Sequence, residues 1–551
     1  MASVAFDLST VFRTVAATLP DFQVMAWRDV RLTYGHMDSR IDGVSHYLSS
    51  QGLGCHTERD RLDNHQCGQD TLGLYLRNGN QYLEAMVAGY RARVAPFNLN
   101  YRYVHEELVA LLSNARARAL VFAAEFAPQV ASISKYLPEL RVLVQVGDDS
   151  GNALLPGAAD YESITETPRP AGGMPQPCGD DLYVIYTGGT TGMPKGVLWR
   201  QHDIFMSAMG GRHPIDGHAL TSYADLQAQA LTNAGLRSFL LLPPLMHGAA
   251  QWGVFNTISS GGRIVIPDDV RHFDADAILR LAQRERVMGI PLVGDAMARP
   301  LADQIEKVNY DLSSLSALTN GGAALSPTVR NRLLTALPHL IIMDSVGASE
   351  SGPQMATVIT RDTDDAAPTF TPLIGTAVLS EDFSRVLRPG DGIRTGWLAR
   401  QQFVPLGYLG DAENTARTFP SIDGIRWAIS GDKARLLPDG KIELLGRDSV
   451  TINSGGEKIF VEEVERALTS HPAVYDVAVT GRPSQRWGHE VVAIIQFAAG
   501  LTATDSELAD VCRAHIADYK IPKAFIRVDK MLRSPSGKPD YRWAKSVATG
   551  R

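Results

Sequence analysis

The segment Tyr186-Thr187-Gly188-Gly189-Thr190-Thr191-Gly192-Met193-Pro194-Lys195-Gly196 concentrates what a polyphosphate requires of a protein. Its glycines let the backbone approach a ligand closely. Its threonines offer hydroxyl donors and Lys195 a positive charge, a combination suited to phosphate oxygens. It is not a Walker A loop, which places Gly-Lys-[Ser/Thr] together after a fixed spacer; here Lys195 follows Pro194 and precedes Gly196. The competing reading is a glycine-rich hairpin without a ligand. The density of Gly, Thr and Lys directly after the apolar run Leu182–Tyr186 argues against it.

Further residues could do chemistry on the same ligand. Glu350 ends Asp344-Ser345-Val346-Gly347-Ala348-Ser349-Glu350, and a carboxylate is the hard ligand expected for a cation that also grips phosphate. Asp432 follows Ser430-Gly431, and its two oxygens suit a diol. Arg447 follows Gly446, Lys538 follows Ser534-Pro535-Ser536-Gly537, and His247 lies in Pro244-Leu245-Met246-His247-Gly248. Taken singly these are ordinary: a surface carboxylate, a turn aspartate, a solvated lysine, a structural histidine.

The elements that must position them alternate between helix and strand. Tyr82–Ala92 has a helical pattern; Ala119–Ala123 and Val142–Val146 are short apolar runs expected to be strands. A Pro/Gly-rich loop, Thr167–Asp181, precedes the strand Leu182–Tyr186, and a helix begins near Gln201. Phe239–Leu242 and Ile264–Ile266 are expected strands, with an amphipathic helix over Ala275–Val287. Such alternation points to α/β layers. In the last hundred or so residues, Phe460–Thr469 is an expected helix, ended by His471-Pro472, and Val474–Thr480 and Val491–Phe497 are expected strands. Thr504 with Glu507 forms a capping box. Leu508, Val511, Cys512, His515 and Ile516 then fall on one helical face, which places Cys512 and His515 in or at the edge of a core.

Composition sets the frame. The 551 residues correspond to three to five domain-sized units at roughly 100–200 residues each. With 44% hydrophobic and 21% charged residues the chain is ordinary globular material, not a fibre or a disordered tail. A net charge of −7 gives no global attraction to nucleic acid. Four cysteines make no disulfide scaffold, and no apolar run reaches the roughly 18 residues of a membrane span. With no basic, apolar leader at the N-terminus, the expectation is a reduced, cytoplasmic protein. Gly54–Asp70 holds Cys55, His56, His65 and Cys67, but neither order nor spacing matches a common zinc module; a solvated loop is expected.

Together, and in this order, the motifs resemble those of the adenylate-forming superfamily: acyl- and aryl-CoA synthetases, adenylation domains and beetle luciferases. The resemblance runs from about Thr10 to the end of the chain. It implies an α/β fold: a large N-terminal adenylate-forming domain of layered α/β sheets plus a barrel-like subdomain, residues 1–448, and a small mobile α+β C-terminal domain, residues 449–551. It implies ATP, Mg²⁺ and CoA, with Glu350 on the metal and Lys538, Glu350 and Thr187 as the catalytic groups. By resemblance the nucleotide lies against Thr187, Gly188, Gly189, Thr190, Thr191, Gly192, Lys195, Gly322, Ala323, Asp344, Ser345, Ser349, Asp432 and Arg447. The acyl pocket would use His247, Trp252, Asn320, Gly321, Val346, Gly347 and Ala348, and Ser454, Gly455, Gly456, Glu457 and Lys458 would form the thioester loop. The pivot falls on Ser449, where the family more often has Asp or Lys. Val346 stands where the family has Tyr, and Ser349 where it has Thr.

The implied reaction joins a carboxylic acid to CoA through an acyl-adenylate. Several phrases, among them Gly294-Asp295-Ala296-Met297-Ala298-Arg299-Pro300 and Ser536-Gly537-Lys538-Pro539-Asp540-Tyr541-Arg542-Trp543, are most similar to actinobacterial long-chain and steroid side-chain acyl-CoA synthetases. A steroid side-chain or other bulky acid, a medium or long fatty acid, and an aryl acid are the candidate substrates, in that order. A fatty acyl-AMP ligase serving a carrier-protein thiol is the alternative enzyme, and a non-catalytic ATP- or acyl-adenylate-binding protein the alternative of another class. A homodimer is compatible with this reading; nucleic acid and an integral membrane segment are not expected.

Overall fold

The computed structural model describes residues 4–187, 194–213, 216–363, 369–392, 394–447, 451–454, 457–484, 488–533 and 537–550. Five sheets carry the architecture among these residues. The first is wholly parallel: Thr71–Tyr75 lies between Ala95–Asn98 and Ala117–Ala123, followed by Val142–Val146 and Ala158–Asp160. Its inner strands are mostly apolar and buried, as expected of a sheet covered on both faces. The helix Asn80–Arg91 crosses between the first two of these strands and is buried at every residue but Gln81.

The second sheet has nine strands. Its parallel centre includes Ser238–Leu240, Arg263–Ile266, Gly289–Leu292, Ala317–Gly321 and Ile341–Ala348. Gly352–Ile359 then returns antiparallel, so that Ser349, Glu350 and Ser351 form a hairpin tip. In open α/β sheets ligands gather beyond the carboxyl ends of the strands. Leu292, Gly321 and Ala348 all end there, which places the Glu350 tip and the Gly321-Gly322 turn on one rim.

A third, small sheet pairs Leu182–Thr187 with Lys195–Arg200, Thr187 facing Lys195, and adds Gly407–Tyr408. An antiparallel sheet of Thr376–Leu379, Arg394–Gln401, Ile425–Leu436 and Ile442–Arg447, with Ser421–Ile422, stands where the barrel-like subdomain was expected. The last sheet joins Ile452–Ser454, Glu457–Ile459, Val474–Ser484, Gly488–Phe497 and Ala524–Arg527. Helices Val461–Thr469 and Asp505–His515 share a core with it.

Most of the expected elements are present, with two corrections. The helix from Ala275 ends at Arg284, not Val287. Arg286 takes a left-handed φ of 48°, Val287 N–H closes onto the Ala282 carbonyl at 2.9 Å, and Val287 is then fully buried ahead of the next strand. The Thr504–Glu507 capping box forms, and Leu508 and Cys512 are buried behind it, but His515, in the last turn, is exposed.

Candidate functional site

A cavity of about 2450 Å³ opens among the described residues. It lies beyond the carboxyl ends of the central strands, between the second and third sheets and the C-terminal segment. Its lining brings together Thr187, Lys195, His247, Trp252, Asn320, Gly321, Gly322, Ser345, Val346, Gly347, Ala348, Ser349, Glu350 and Lys538, residues spread over most of the sequence.

The third sheet positions the basic wall. Lys195 Nζ stands 3.8 Å from Asp411 Oδ2 and 5.0 Å from the ring centroid of Tyr408. The Tyr408 hydroxyl donates to Glu350 Oε1 at 3.1 Å. The Glu350 tip is fixed from behind, since Trp199 Nε1 donates to the Ser349 carbonyl at 2.9 Å. Lys195, Tyr408 and Glu350 are therefore one cluster at the mouth of the Thr187–Lys195 hairpin.

Asn320 pins the glycine-rich turn. Its Oδ1 accepts from Gly294 N–H at 2.8 Å, and its Nδ2 donates to the Ala323 carbonyl at 3.0 Å and to Asp344 Oδ1 at 2.7 Å. Burial pushes the Asp344 carboxyl up to about 6, with the Asn320 bond opposing it. Ser345 Oγ donates to the Asn320 carbonyl at 2.9 Å. Gly322 has φ of 79°, a region that favours glycine. Lys538 reaches this turn from the C-terminal segment, its Cε 3.9 Å from where a Cβ on Gly322 would stand.

His247 occupies the N-cap position of the helix Gly248–Ser259, its side chain making no capping hydrogen bond. Two asparagines hold its segment. Asn98 bonds the backbone of Tyr186 and the Met246 carbonyl, at 2.6 to 2.9 Å, and Asn78 bonds Pro243 and Leu245 at 3.1 and 2.7 Å. The hairpin strand and the His247 segment are thus tied to one another. Burial, then the charges of Lys538 and Arg102, pull the His247 imidazole down to about 4, so it is neutral at ordinary pH. Its Nε2 is buried and has no hydrogen-bond partner among the described residues. Beyond Trp252 the cavity continues past Phe239, Met288 and Gly289 to a polar end with Arg237, Asn256 and Ser260.

Other expected residues stand apart from this lining. Asp344 and Ala323 lie behind the turn; Asp432 is 8% exposed and accepts from Ser430 Oγ at 2.8 Å, while Ser430 and Gly431 reach the cavity. Arg447 is paired with Asp432 in strand register; its side chain lies outside the described residues. Ser454 sits in the hairpin with Glu457, away from the cavity lining. Gly188, Gly189, Thr190, Thr191, Gly192, Ser449, Gly455 and Gly456, and the side chains of Glu457 and Lys458, also fall outside. In the Gly54–Asp70 loop His56 pairs with Asp70 at 2.6 Å.

Sequence reasoning missed Tyr408, Asp411, Asn78 and Asn98. Gly407–Tyr408 is a strand of two residues, with no periodicity to mark it. The donor set fits a hard divalent cation carried mainly on phosphate: one half-buried carboxylate, Glu350, one of whose oxygens is engaged by Tyr408. No group of three or more His, Cys, Asp or Glu side chains suited to a metal occurs among the described residues.

Comparison with known proteins agrees with this geometry. The family of AMP-binding enzymes matches residues 12–392, and the C-terminal domain of AMP-binding enzymes matches residues 463–538. The chain is 52% identical to the medium-chain acyl-CoA ligase Mig of Mycobacterium avium, over 99% of this chain and 98% of that one. It is 36% identical to a 3-oxocholest-4-en-26-oate–CoA ligase of Rhodococcus rhodochrous, over 98% and 96%. In fold it matches the anthranilate CoA ligase AuaEII with anthranoyl-AMP, with a TM-score of 0.81 at 20% identity, covering 98% of this chain and 97% of that one. The chain belongs to the AMP-binding enzyme family, among the adenylate-forming acid–thiol ligases.

Proposed function

We propose that the protein converts a medium- to long-chain or similarly bulky carboxylic acid, with ATP and CoA, to the acyl-CoA, AMP and pyrophosphate. The observation that carries this reading is that one cavity is lined both by Lys538, Lys195 and Glu350 and by the apolar or neutral side chains of His247, Trp252, Phe239 and Met288. The two relatives named above are, by name, ligases of a medium-chain acyl group and of 3-oxocholest-4-en-26-oate. The steroid acid is kept as the second reading because its relatives match the chain end to end.

In the first step the acid's carboxylate attacks the α-phosphate and pyrophosphate leaves. Charge builds on both phosphate centres, and fixed cations and donors at that point lower the barrier. Lys538 bridges the carboxylate and α-phosphate oxygens; Thr187 and Lys195 hold the outgoing phosphates; neutral His247 lines the acyl entrance and transfers no proton. Mg²⁺, when bound on Glu350, neutralises phosphate charge. Asp432 and Arg447 serve the ribose side. In the second step the CoA thiolate attacks the acyl carbonyl and AMP leaves. We assign that step to the segment Ser454–Lys458, brought in by rotation of residues 449–551 about Ser449 against residues 1–448.

The test is ATP-dependent release of AMP and pyrophosphate over fatty, aryl and steroid side-chain acids, with and without CoA. CoA-dependent turnover that collapses in Lys538→Ala is expected. Turnover that ignores CoA but proceeds with a carrier-protein thiol would overturn the acyl-CoA assignment; ATP binding without turnover on any acid would make the protein a binder.

A further inference from the structure

Lys538 lines the cavity, and both of its chain neighbours, Gly537 and Pro539, are contacted by Arg533. Arg533 Nε donates to Asp476 Oδ2 at 2.7 Å and its Nη2 to Asp476 Oδ1, while its Nη1 donates to the Gly537 carbonyl at 2.8 Å. Arg533 also bridges Pro539 in antiparallel register, so the contacts close on both sides of Lys538. The Arg533 and Asp476 side chains are largely buried, at 23% and 15% exposure, so screening of the pair is weak. A planar fork that grips a carboxylate and a carbonyl at once is a task lysine cannot copy.

The next residue along from Asp476 is the docking contact. The Tyr475 ring lies under the guanidinium of Arg299, 4.7 Å from its centroid. Arg299 is held by Asp295 at 2.8 Å, on the same helix, Asp295–Ile305. Gly537 meets the start of that helix: a Cβ on it would come within 3.0 Å of the Val293 carbonyl and 3.1 Å of Val293 Cγ1, and its φ is 73°. The first two turns of one helix and the residues just before it therefore receive both Tyr475 and Gly537.

We propose that Arg533 is the positioning residue of Lys538, and that the Arg299–Tyr475 contact holds the C-terminal segment in the arrangement that admits Lys538 to the cavity. Both act on acid activation and on nothing later. The inference rests on the proposed two-step reaction. It predicts a split between half-reactions that a loss of folding would not produce.

The experiment uses the full chain and measures two rates. Acid-dependent exchange of pyrophosphate into ATP reports activation; CoA-dependent consumption of synthetic acyl-adenylate reports transfer. Arg533→Ala is expected to lower exchange between tenfold and a hundredfold, the range that corresponds to a hydrogen bond to a charged group. Transfer should stay within about twofold, because it does not use Lys538. Tyr475→Ala and Arg299→Met should show the same split more mildly, and Tyr475→Phe, which keeps the ring, should restore exchange. Equal loss in both half-reactions, or no loss in either, would overturn the proposal. Wild-type protein active in neither would instead defeat the underlying function.

Discussion

The hydroxyl of Tyr408 donates to Glu350 Oε1 at 3.1 Å while the face of the same ring carries Lys195 Nζ at 5.0 Å from its centroid. One aromatic side chain thus touches both charged groups where the cavity is proposed to hold phosphate. The hydroxyl withdraws charge from one carboxylate oxygen and fixes the carboxylate's direction. The ring face adds to the stabilisation that the Lys195 ammonium receives from Asp411 Oδ2 at 3.8 Å.

Tyr408→Phe separates these two effects. It keeps the ring under Lys195 and removes the donor to Glu350. A bond to a charged, half-buried group is worth about 1–2 kcal/mol here, so acid-dependent pyrophosphate exchange should fall roughly tenfold. The Mg²⁺ concentration for half-maximal exchange should rise, since the carboxylate is no longer held. A Mg²⁺ titration of exchange checks this; an unchanged half-saturation would show that Tyr408 does not orient the metal ligand.

What could be foreseen from the sequence divides along range. Lys195 and the glycines before it, Lys538 after Gly537, and the Thr504–Glu507 box all announce themselves within a few residues, because turn chemistry and capping are local. Tyr408 meets Glu350 across 58 residues, and Asn98 meets Met246 across 148. No spacing encodes such a meeting; it exists only once the third sheet places Gly407–Tyr408 beside Val197 and Leu198. Helical periodicity also overreached at His515. It marked the face correctly for Leu508 and Cys512, but the last turn runs past the core and leaves His515 in solvent. The same limit hid Arg533: its partner Asp476 is 57 residues away.

Glu84 offers a test of stability away from the cavity. It is fully buried on the helix Asn80–Arg91 and receives Arg40 at 2.9 and 3.0 Å, Asn80 at 2.9 Å and the Tyr161 hydroxyl at 3.1 Å. Neutralising Glu84 takes the buried carboxylate from Arg40, leaving it only the exposed Glu162, at about 3 kcal/mol. Glu84→Gln should therefore lower the thermal midpoint by several degrees. Glu162→Gln, which removes the exposed partner of the same arginine, should change stability by less than about 1 kcal/mol. Equal effects would mean that the buried pair is not what fixes this helix.

His247 sets a pH dependence whose sign is fixed by its environment. Its folded-state value is pulled down to about 4, below the roughly 6.5 of an unfolded histidine. Between these values the unfolded chain binds more protons than the folded one, so stability rises with pH through that window. The contribution is complete above about 6.5 and is lost as pH falls towards 4. His247→Gln removes the titration, so the variant should lose less stability than wild type between pH 7 and 4.5. Thermal midpoints of both proteins at the two pH values give the difference directly. A wild-type loss no steeper than the variant's would show that His247 is not held neutral.

Gly289 tests the direction of the acyl channel. It lines the cavity between Phe239 and Met288, and a Cβ there would meet nothing closer than the Phe239 ring and the Ser238 carbonyl, both at 3.9 Å. The position can therefore accept a side chain without disturbing the sheet, and that side chain would enter the space proposed for the acid. Leucine would displace about three methylenes of a long acid from the channel. At roughly 0.8 kcal/mol for each, the lost burial is about 2–3 kcal/mol, a tenfold to hundredfold fall in kcat/KM. Short acids end before this point and should be turned over as well by Gly289→Leu as by the wild type. The chain-length profile should therefore shift to shorter acids with the adenylation machinery intact. If long and short acids lose activity alike, the acyl group does not run past Met288. The polar end with Arg237, Asn256 and Ser260 would then belong to a separate opening of the cavity.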